Sequence, residues 1–190
     1  MRRAPQWLIL ATFAAVALAC SMLSPHPRDA RPLRRFASCG LDFPVGPPDA
    51  VGYYDAQPFG ENDHLGSDWN GNGGGDSDLG DPVHAIADGR VVLAEDLGGG
   101  WGNVVRIEHA CGLVRLESVS AHLDAMHVSP GMRVVRGQPL GTIGTAHGQY
   151  LAHLHLELRS RIGAPIGAGY GDAAAGQLDP TTYIRDHRPD

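Results

Sequence analysis

One stretch near the end of the chain alternates between apolar and polar residues without a break. The apolar residues are Ala152, Leu154, Leu156 and Leu158, and the residues between them are His153, His155 and Glu157. A period of two predicts a β-strand, and here it predicts a half-buried strand with the leucines in the core. The two histidines and the glutamate then share the opposite face of a rigid element.

Further short strands are predicted on both sides of glycine-rich turns. The predicted segments are Val83–Ile86, Arg90–Ala94, Asn103–His109, Leu113–His122, Met132–Val135, Pro139–Thr145 and Leu151–Arg159. The first two flank Asp88 and Gly89, and Asp-Gly between apolar runs predicts a β-hairpin. Residues 41–62 contain four prolines and are predicted to be irregular. Residues 178–184 predict a capped final turn that packs on the domain.

The spacing of these segments decides the predicted fold class. Many short strands, glycine turns and a lack of long helical patterns predict a mainly β fold, an antiparallel β-sandwich or open barrel of short strands with little helix. The 26 glycines and 14 prolines agree with a turn-rich structure. A length of 190 residues suits one domain with a full core and is short for two.

Charge and composition exclude several classes of function. The net charge of -6 argues against a nucleic-acid partner. All fifteen basic residues are arginine, so any chemistry that needs a Schiff-base, lipoyl or P-loop lysine is excluded.

The first segment has the pattern of an export signal. Arg2 and Arg3 precede an apolar run that ends in an Ala-x-Ala cleavage pattern at residues 17–19. The apolar run is too short to span a bilayer comfortably. We therefore predict an export signal at residues 1–20, a Pro/Arg-rich linker at residues 21–38 and one folded domain at residues 39–187. The predicted location is the periplasm or the cell envelope.

The three cysteines leave two questions open. Cys20 follows the cleavage pattern directly, as in bacterial lipoprotein signals, so lipidation of Cys20 with membrane attachment and ordinary signal cleavage are both open. An uncleaved anchor that extends to Leu23 is a third alternative. Cys39 and Cys111 then remain as a pair in an oxidising compartment. They form either a disulfide or two small buried residues.

Polar residues that could bind a metal form two sequence doublets and one single site. His64 and Asp68 stand four residues apart, His153 and His155 share the strand face described above, and His122 ends a predicted strand. Imidazoles and a carboxylate are ordinary zinc ligands, and three of them leave a fourth position for water. The other histidines are isolated at tails, turns or strand ends.

Three motifs in this order resemble a known family. They are HLGSD at residues 64–68, SAHL at residues 120–123 and HLHLE at residues 153–157. Together they are similar to the M23 family of zinc metallopeptidases, of the lysostaphin/LytM type, and the resemblance extends over about the whole folded part. It implies a LytM-like fold and a zinc endopeptidase that acts on peptidoglycan peptides.

The resemblance also implies roles for five residues. His64, Asp68 and His155 match the family's zinc ligands, and His122 and His153 match its catalytic histidines. One of the two catalytic histidines would act as general base, and the other would stabilise the oxyanion or donate a proton. The sequence does not assign these roles to one histidine or the other. Glu157 is either a partner that orients a histidine or an ordinary surface carboxylate.

The family pattern is not met everywhere, and other functions stay open. Some members use a tyrosine upstream of the first ligand, whereas Tyr53 and Tyr54 lie at a large offset from His64. A catalytically inactive activator or scaffold of another cell-wall hydrolase is the main alternative, and the complete ligand set argues against it. A cupin-like metal enzyme is a weaker alternative, because cupins place His-x-His first in the chain, not last.

Overall fold

The computed structural model describes residues 40–189, a mainly antiparallel β structure with one short α-helix. The elements are β1 (Tyr53–Gln57), a 3₁₀ turn (Glu61–Asp63), β2 (Ser67–Gly71), β3 (Pro82–His84), β4 (Gly89–Asp96), β5 (Asn103–Cys111), β6 (Val114–Leu123), β7 (Arg133–Val134), β8 (Pro139–Thr142), β9 (Leu154–Arg159), β10 (Gln177–Leu178) and α1 (Pro180–Asp186). The predicted export signal, the predicted linker, Cys20 and Cys39 lie outside the described residues.

Most of the strands belong to one large antiparallel sheet. Its order is β1-β2-β9-β6-β5-β4-β7, and β10 pairs with the end of β9. Strands β3 and β8 form a separate two-stranded sheet. Within residues 40–189 the large sheet is open, because β1 and β7 at its two edges do not pair. The predicted fold class is confirmed in its open form, with little helix.

The alternation in β9 places its leucines in the main hydrophobic core, as predicted. Leu154, Leu156 and Leu158 are fully buried there. The prediction of a half-buried strand is wrong, however, because all six residues of β9 are buried. Residues 163–167 cover the second face, where Arg159 donates hydrogen bonds to their carbonyl groups.

The hairpin predicted at residues 83–94 is also wrong. Strand β3 pairs with β8, whereas β4 pairs with β5 and β7, so the two segments lie in different sheets. Gly89 does not serve a hairpin turn. An added Cβ on Gly89 would lie 2.4 Å from Cγ2 of Ile107 and 2.7 Å from the carbonyl oxygen of Glu108, so glycine permits the close approach of β4 to β5.

The two ends of the described chain differ in how well the sequence predicted them. Strand β1 lies in the segment predicted to be irregular, and it pairs with β2 at the sheet edge. The capped final turn is confirmed as α1, whose N-cap Asp179 accepts a hydrogen bond from the amide of Thr182. Ile184 of α1 is fully buried in the main core.

Two further facts concern the cysteines and the membrane. Cys111, at the end of β5, is disulfide-bonded. Cys39, the candidate partner in the sequence, lies outside the described residues. Within residues 40–189, no helix has the length and apolar character needed to cross a membrane.

Candidate metal centre

Three adjacent strands of the large sheet bring the five predicted site residues together. Asp68 of β2 is the cross-strand partner of His155 of β9, and Ala121 of β6 is the partner of His155 on the other side. His64 directly follows the 3₁₀ turn, three residues before β2 begins, and His122 follows Ala121 in β6. Residues far apart in the sequence therefore meet because β2, β9 and β6 are neighbours.

The three predicted ligands form a compact triangle. Nε2 of His64 lies 3.0 Å from Nδ1 of His155 and 3.4 Å from Oδ1 of Asp68, and the last two atoms are 2.9 Å apart. With ligand bonds of about 2.0–2.2 Å, two ligand atoms of a tetrahedral zinc site lie roughly 3.4 Å apart. Within residues 40–189 this is the one group of histidine, cysteine and acidic side chains that is close enough to hold a metal. The triangle fits a zinc ion.

Hydrogen-bond partners behind the two ligand imidazoles fix their orientation. Nδ1 of His64 lies 3.0 Å from the carbonyl oxygen of Gln57 and donates to it, because a carbonyl only accepts. Nε2 of His64 is then unprotonated, and its lone pair is available to a metal held by the triangle. Nε2 of His155 lies 3.4 Å from Oε1 of Glu157, which places a carboxylate behind this ligand too. Glu157 is fully buried, so it is not a surface carboxylate.

The metal-free triangle has strongly perturbed acidities. Burial lowers the pKa of His155, but the hydrogen bonds and charges of Asp68 and Glu157 outweigh burial and raise it to about 9. Burial raises the pKa of Asp68, but His155 and His64 outweigh burial and hold it well below its ordinary value. The metal-free site therefore stabilises a positively charged His155 beside the Asp68 carboxylate. A bound cation would take the place of this positive charge.

A β-bulge directs His122 into the site. The pairing of β5 with β6 shifts between Asn103 and Val105, and His122 has a φ of 64°. A non-glycine residue in the left-handed region is strained, and such bulges redirect a side chain out of the regular alternation. Nδ1 of His122 lies 3.4 Å from the carbonyl oxygen of Trp101. Burial, with the nearby charges of His155 and His153, lowers the pKa of His122 to about 3.

His153 stands at the start of β9, on the open side of the triangle. Its Nδ1 donates to the carbonyl oxygen of Leu151 at 2.8 Å, and its Nε2 lies 3.8 Å from Oδ2 of Asp68. The rings of His153 and His122 are 4.7 Å apart. Neither histidine belongs to the ligand triangle, and both lie beside it.

Four of the five residues, all but His64, line a cleft of about 310 Å³ that aromatic side chains flank. Trp101, Tyr150 and Tyr170 line this cleft together with Asp68 and the histidines 122, 153 and 155. The sequence analysis did not assign these three aromatic residues to the site, since no local pattern marks them.

The tyrosines upstream of His64 do not take part in the cleft as the structure describes it. The Tyr53 hydroxyl donates to Asp81 at 2.5 Å, Tyr54 is about half exposed, and neither lines the cleft. Tyr150 and Tyr170 bring hydroxyl groups to the cleft instead.

Gly66 permits the close packing of β2 on the ligand His155. An added Cβ on Gly66 would lie 2.5 Å from the carbonyl oxygen of Leu156 and 2.8 Å from Cε1 of His155. Real Cβ atoms do not approach other atoms this closely, so position 66 requires glycine.

Comparison with known proteins decides the family. The model of "Peptidase family M23" matches residues 63–167, more than half of the chain and all five site residues. The chain belongs to peptidase family M23. Over 80 residues the M23 domain is 41% identical to the Murein hydrolase activator EnvC of Escherichia coli (strain K12), covering 42% of this chain and 18% of EnvC.

Another M23 relative carries the name of an enzyme. Over 87 residues the domain is 39% identical to the DD-carboxypeptidase/endopeptidase Mpg of Neisseria meningitidis serogroup B (strain ATCC 13091 / M2091), covering 46% of this chain and 19% of Mpg. This chain therefore spans less than a fifth of the length of EnvC or Mpg.

Solved structures show the same fold. Lysostaphin from Staphylococcus simulans matches with a TM-score of 0.55 at 22% identity, over 72% of this chain and 50% of lysostaphin. A zinc-containing peptidase from Vibrio cholerae matches with a TM-score of 0.50 at 24% identity, over 64% of this chain and 37% of that one. Both likenesses establish that the M23 domain has the lysostaphin-type fold.

Proposed function

We propose that this M23 protein is an exported zinc metalloendopeptidase that hydrolyses peptide bonds in peptidoglycan cross-links. The observation that carries the proposal is the triangle of His64, Asp68 and His155, whose ligand atoms lie 2.9–3.4 Å apart beside His122 and His153. Family membership supports a hydrolase. The similarity to Mpg, which is named a DD-carboxypeptidase/endopeptidase, supports a peptide substrate.

His64, Asp68 and His155 would hold the zinc ion in this proposal. When bound, zinc supplies a Lewis acid for a peptide carbonyl and makes hydroxide available near neutral pH. The hydrogen bond from His64 to the Gln57 carbonyl keeps Nε2 of His64 unprotonated and available to the ion. The Asp68 carboxylate offsets part of the ion's charge.

His122 and His153 would move the protons of the reaction. The hydrogen bond from Nδ1 of His153 to Leu151 leaves its Nε2 as an acceptor that faces the site. The carbonyl of Trp101 beside Nδ1 of His122 favours the same tautomer there. One imidazole would take the proton of the attacking water, and the other would stabilise the oxyanion or give a proton to the leaving amine.

Export to the periplasm or cell envelope is part of the proposal. The charged start, the apolar run and the cleavage pattern of residues 1–20 support it, and so does a substrate outside the cytoplasm. Mass spectrometry of the N-terminal peptide of protein purified from cells tests it. A lipid-modified Cys20 and a chain that begins near residue 20 both agree with export, whereas an intact Met1 in the envelope fraction contradicts signal cleavage.

The experiment on activity uses the purified chain, zinc and cell-wall sacculi. The wild type should release new amino groups, and His122→Ala and His155→Ala should not. The exposed His127→Ala is the matched control and should act like the wild type. Equal release by all variants would reject the mechanism, and mass spectrometry of fragments from defined muropeptides would identify the bond that is cut.

The second candidate is an inactive activator of another cell-wall hydrolase, and the 41% identity to the activator EnvC favours it. The complete set of ligands and histidines in this chain counts against it. In the same assay, an activator would release no amino groups alone but would accelerate an added murein hydrolase. That acceleration should persist in His122→Ala, since an activator needs no proton transfer.

A further inference from the structure

Behind the ligand His155, four side chains form a continuous buried chain across three strands. Glu157 faces His155, Arg159 binds Glu157, Glu117 of β6 lies next to Arg159, and Arg106 of β5 binds Glu117. Glu157, Arg159 and Glu117 are fully buried, and Arg106 is 9% exposed. Two arginines and two glutamates balance in charge, so the set is neutral as a whole.

The contacts inside this chain are short where they bind opposite charges. Nε of Arg159 donates to Oε2 of Glu157 at 2.6 Å, and Nη2 of Arg106 donates to Oε1 of Glu117 at 2.6 Å. Nη1 of Arg159 and Oε1 of Glu117 are 3.9 Å apart. Buried carboxylates are costly to leave without a partner, so each arginine is required where it lies.

The same side chains hold the backbone of the loop 163–166. Arg159 donates to the carbonyl oxygens of Pro165 and Ile166 at 3.2 and 2.9 Å. Arg106 donates to the carbonyl oxygen of Ala164 at 2.9 Å, and Glu117 accepts from the amide of Gly163 at 3.1 Å.

This loop leads directly into one wall of the cleft. The carbonyl oxygen of Gly167 accepts a hydrogen bond from the Trp101 ring at 3.1 Å, and Ala168, Gly169 and Tyr170 line the cleft. The position of the wall therefore depends on the loop 163–166.

We propose that Arg159 is a positioning residue that orients the metal ligand His155 through Glu157 and anchors the cleft wall through the carbonyls of Pro165 and Ile166. An arginine suits both tasks, because its planar guanidinium carries five donors in a fixed geometry. The part of this inference that concerns His155 rests on the proposed zinc site, whereas the anchoring of the loop does not.

Three conservative variants separate the two tasks. Zinc affinity is measured by chelator competition, and hydrogen exchange is measured at two N–H groups that the loop holds, the Gly163 amide bound to Glu117 and the Trp101 indole bound to the Gly167 carbonyl. Glu157→Gln should weaken zinc binding about 10–100-fold, the usual effect of losing an outer partner of a ligand, and leave exchange at Gly163 unchanged. Arg106→Lys should speed exchange at Gly163 and leave zinc affinity unchanged. Arg159→Lys should weaken zinc binding and also speed exchange at the Trp101 indole.

The matched control is Arg115→Lys, which changes an exposed arginine paired with Glu108 on the same hairpin. It should alter neither readout.

A folded Arg159→Lys with wild-type zinc affinity, or with exchange raised evenly across the domain, would overturn the inference. Should Arg159→Lys not fold, the other two variants decide, and equal zinc affinity in Glu157→Gln and the wild type would overturn it. A wild type that binds no zinc would refute the proposed function, while exchange in the metal-free variants would still test the anchoring of the loop.

Discussion

The ring centroids of His122 and His153 lie 4.7 Å apart. Nδ1 of His122 lies beside the carbonyl oxygen of Trp101, and Nδ1 of His153 lies beside that of Leu151. These two carbonyls belong to different loops, so two independent parts of the backbone select the same tautomer. Both Nε2 atoms are thereby left as acceptors beside the ligand triangle, which suits them to the proton transfers of the proposed function.

Replacing either of these histidines should abolish hydrolysis and leave zinc bound. His122→Ala and His153→Ala should each lower kcat by at least about 100-fold, since a positioned acid or base contributes this much. Zinc content, measured by atomic absorption, should stay near that of the wild type because neither residue is in the triangle. Loss of zinc in either variant would move that residue into the ligand set.

Zinc binding should release about one proton at about pH 7.5. The pKa of His155 in the metal-free site is raised to about 9, so His155 carries a proton there that a metal must displace. Zinc affinity should consequently fall as the pH falls below about 9. Calorimetry in buffers with different ionisation enthalpies measures the release, and a binding enthalpy that is independent of the buffer would contradict it.

Gly66→Ala should weaken zinc binding without removing a ligand. The added Cβ would press on the His155 ring, at 2.8 Å from Cε1, and on the carbonyl oxygen of Leu156. A loss of about tenfold or more in affinity is expected, similar to the loss of an outer partner that orients a ligand. Gly131→Ala is the control, since Gly131 has a φ of 92° with open space around it and should lower stability alone. Equal zinc affinity in Gly66→Ala and the wild type would contradict this prediction, because it would show that the backbone next to β2 shifts without displacing His155.

The fully buried His109 predicts a loss of stability in acid. Burial lowers its pKa to about 4, and its two ring nitrogens face the carbonyl oxygen of Asp88 and the hydroxyl of Ser118. Between about pH 6.5 and 4 the unfolded chain binds a proton that the folded chain does not, so the free energy of unfolding falls as the pH is lowered through this range. The contribution is about 3 kcal/mol when complete.

Denaturant unfolding of the metal-free protein at several pH values measures this effect. His109→Gln should flatten the dependence on pH between about 6.5 and 4 relative to the wild type. The exposed His127→Gln is the matched control and should keep the wild-type slope. A slope in His109→Gln equal to that of the wild type would rule out His109 as the source.

The strand β9 shows how far a local pattern reaches. Its alternation correctly predicted which side chains enter the core and that His155 and Glu157 share a face, because the period of a strand depends on the backbone alone. Continued by one step, the same alternation would have placed Arg159 on the histidine face as well. The pattern did not show that this face is buried, since the covering loop at residues 163–167 follows in the sequence but carries no periodic signal.

The failed hairpin and the missed strand β1 have a different cause. Asp88-Gly89 has the local chemistry of a turn, yet Gly89 packs against β5, and β4 takes its partners from later in the chain. Pairing partners are chosen by long-range packing, which a window of a few residues does not contain. Strand β1 is short and follows a proline-rich segment, so its pairing with β2 is equally invisible to local patterns.

The sequence by itself determined the mainly β class, the core face of β9 and the family motifs that name His64, Asp68, His122, His153 and His155. Motif spacing and strand period are local properties, so they survive without coordinates. The tertiary structure decided which nitrogen of each histidine faces the site, the 2.9–3.4 Å triangle, the aromatic cleft and the buried path from His155 to Arg106. These depend on β2, β9, β6 and β5 lying side by side, and strand order is set by packing across the whole chain.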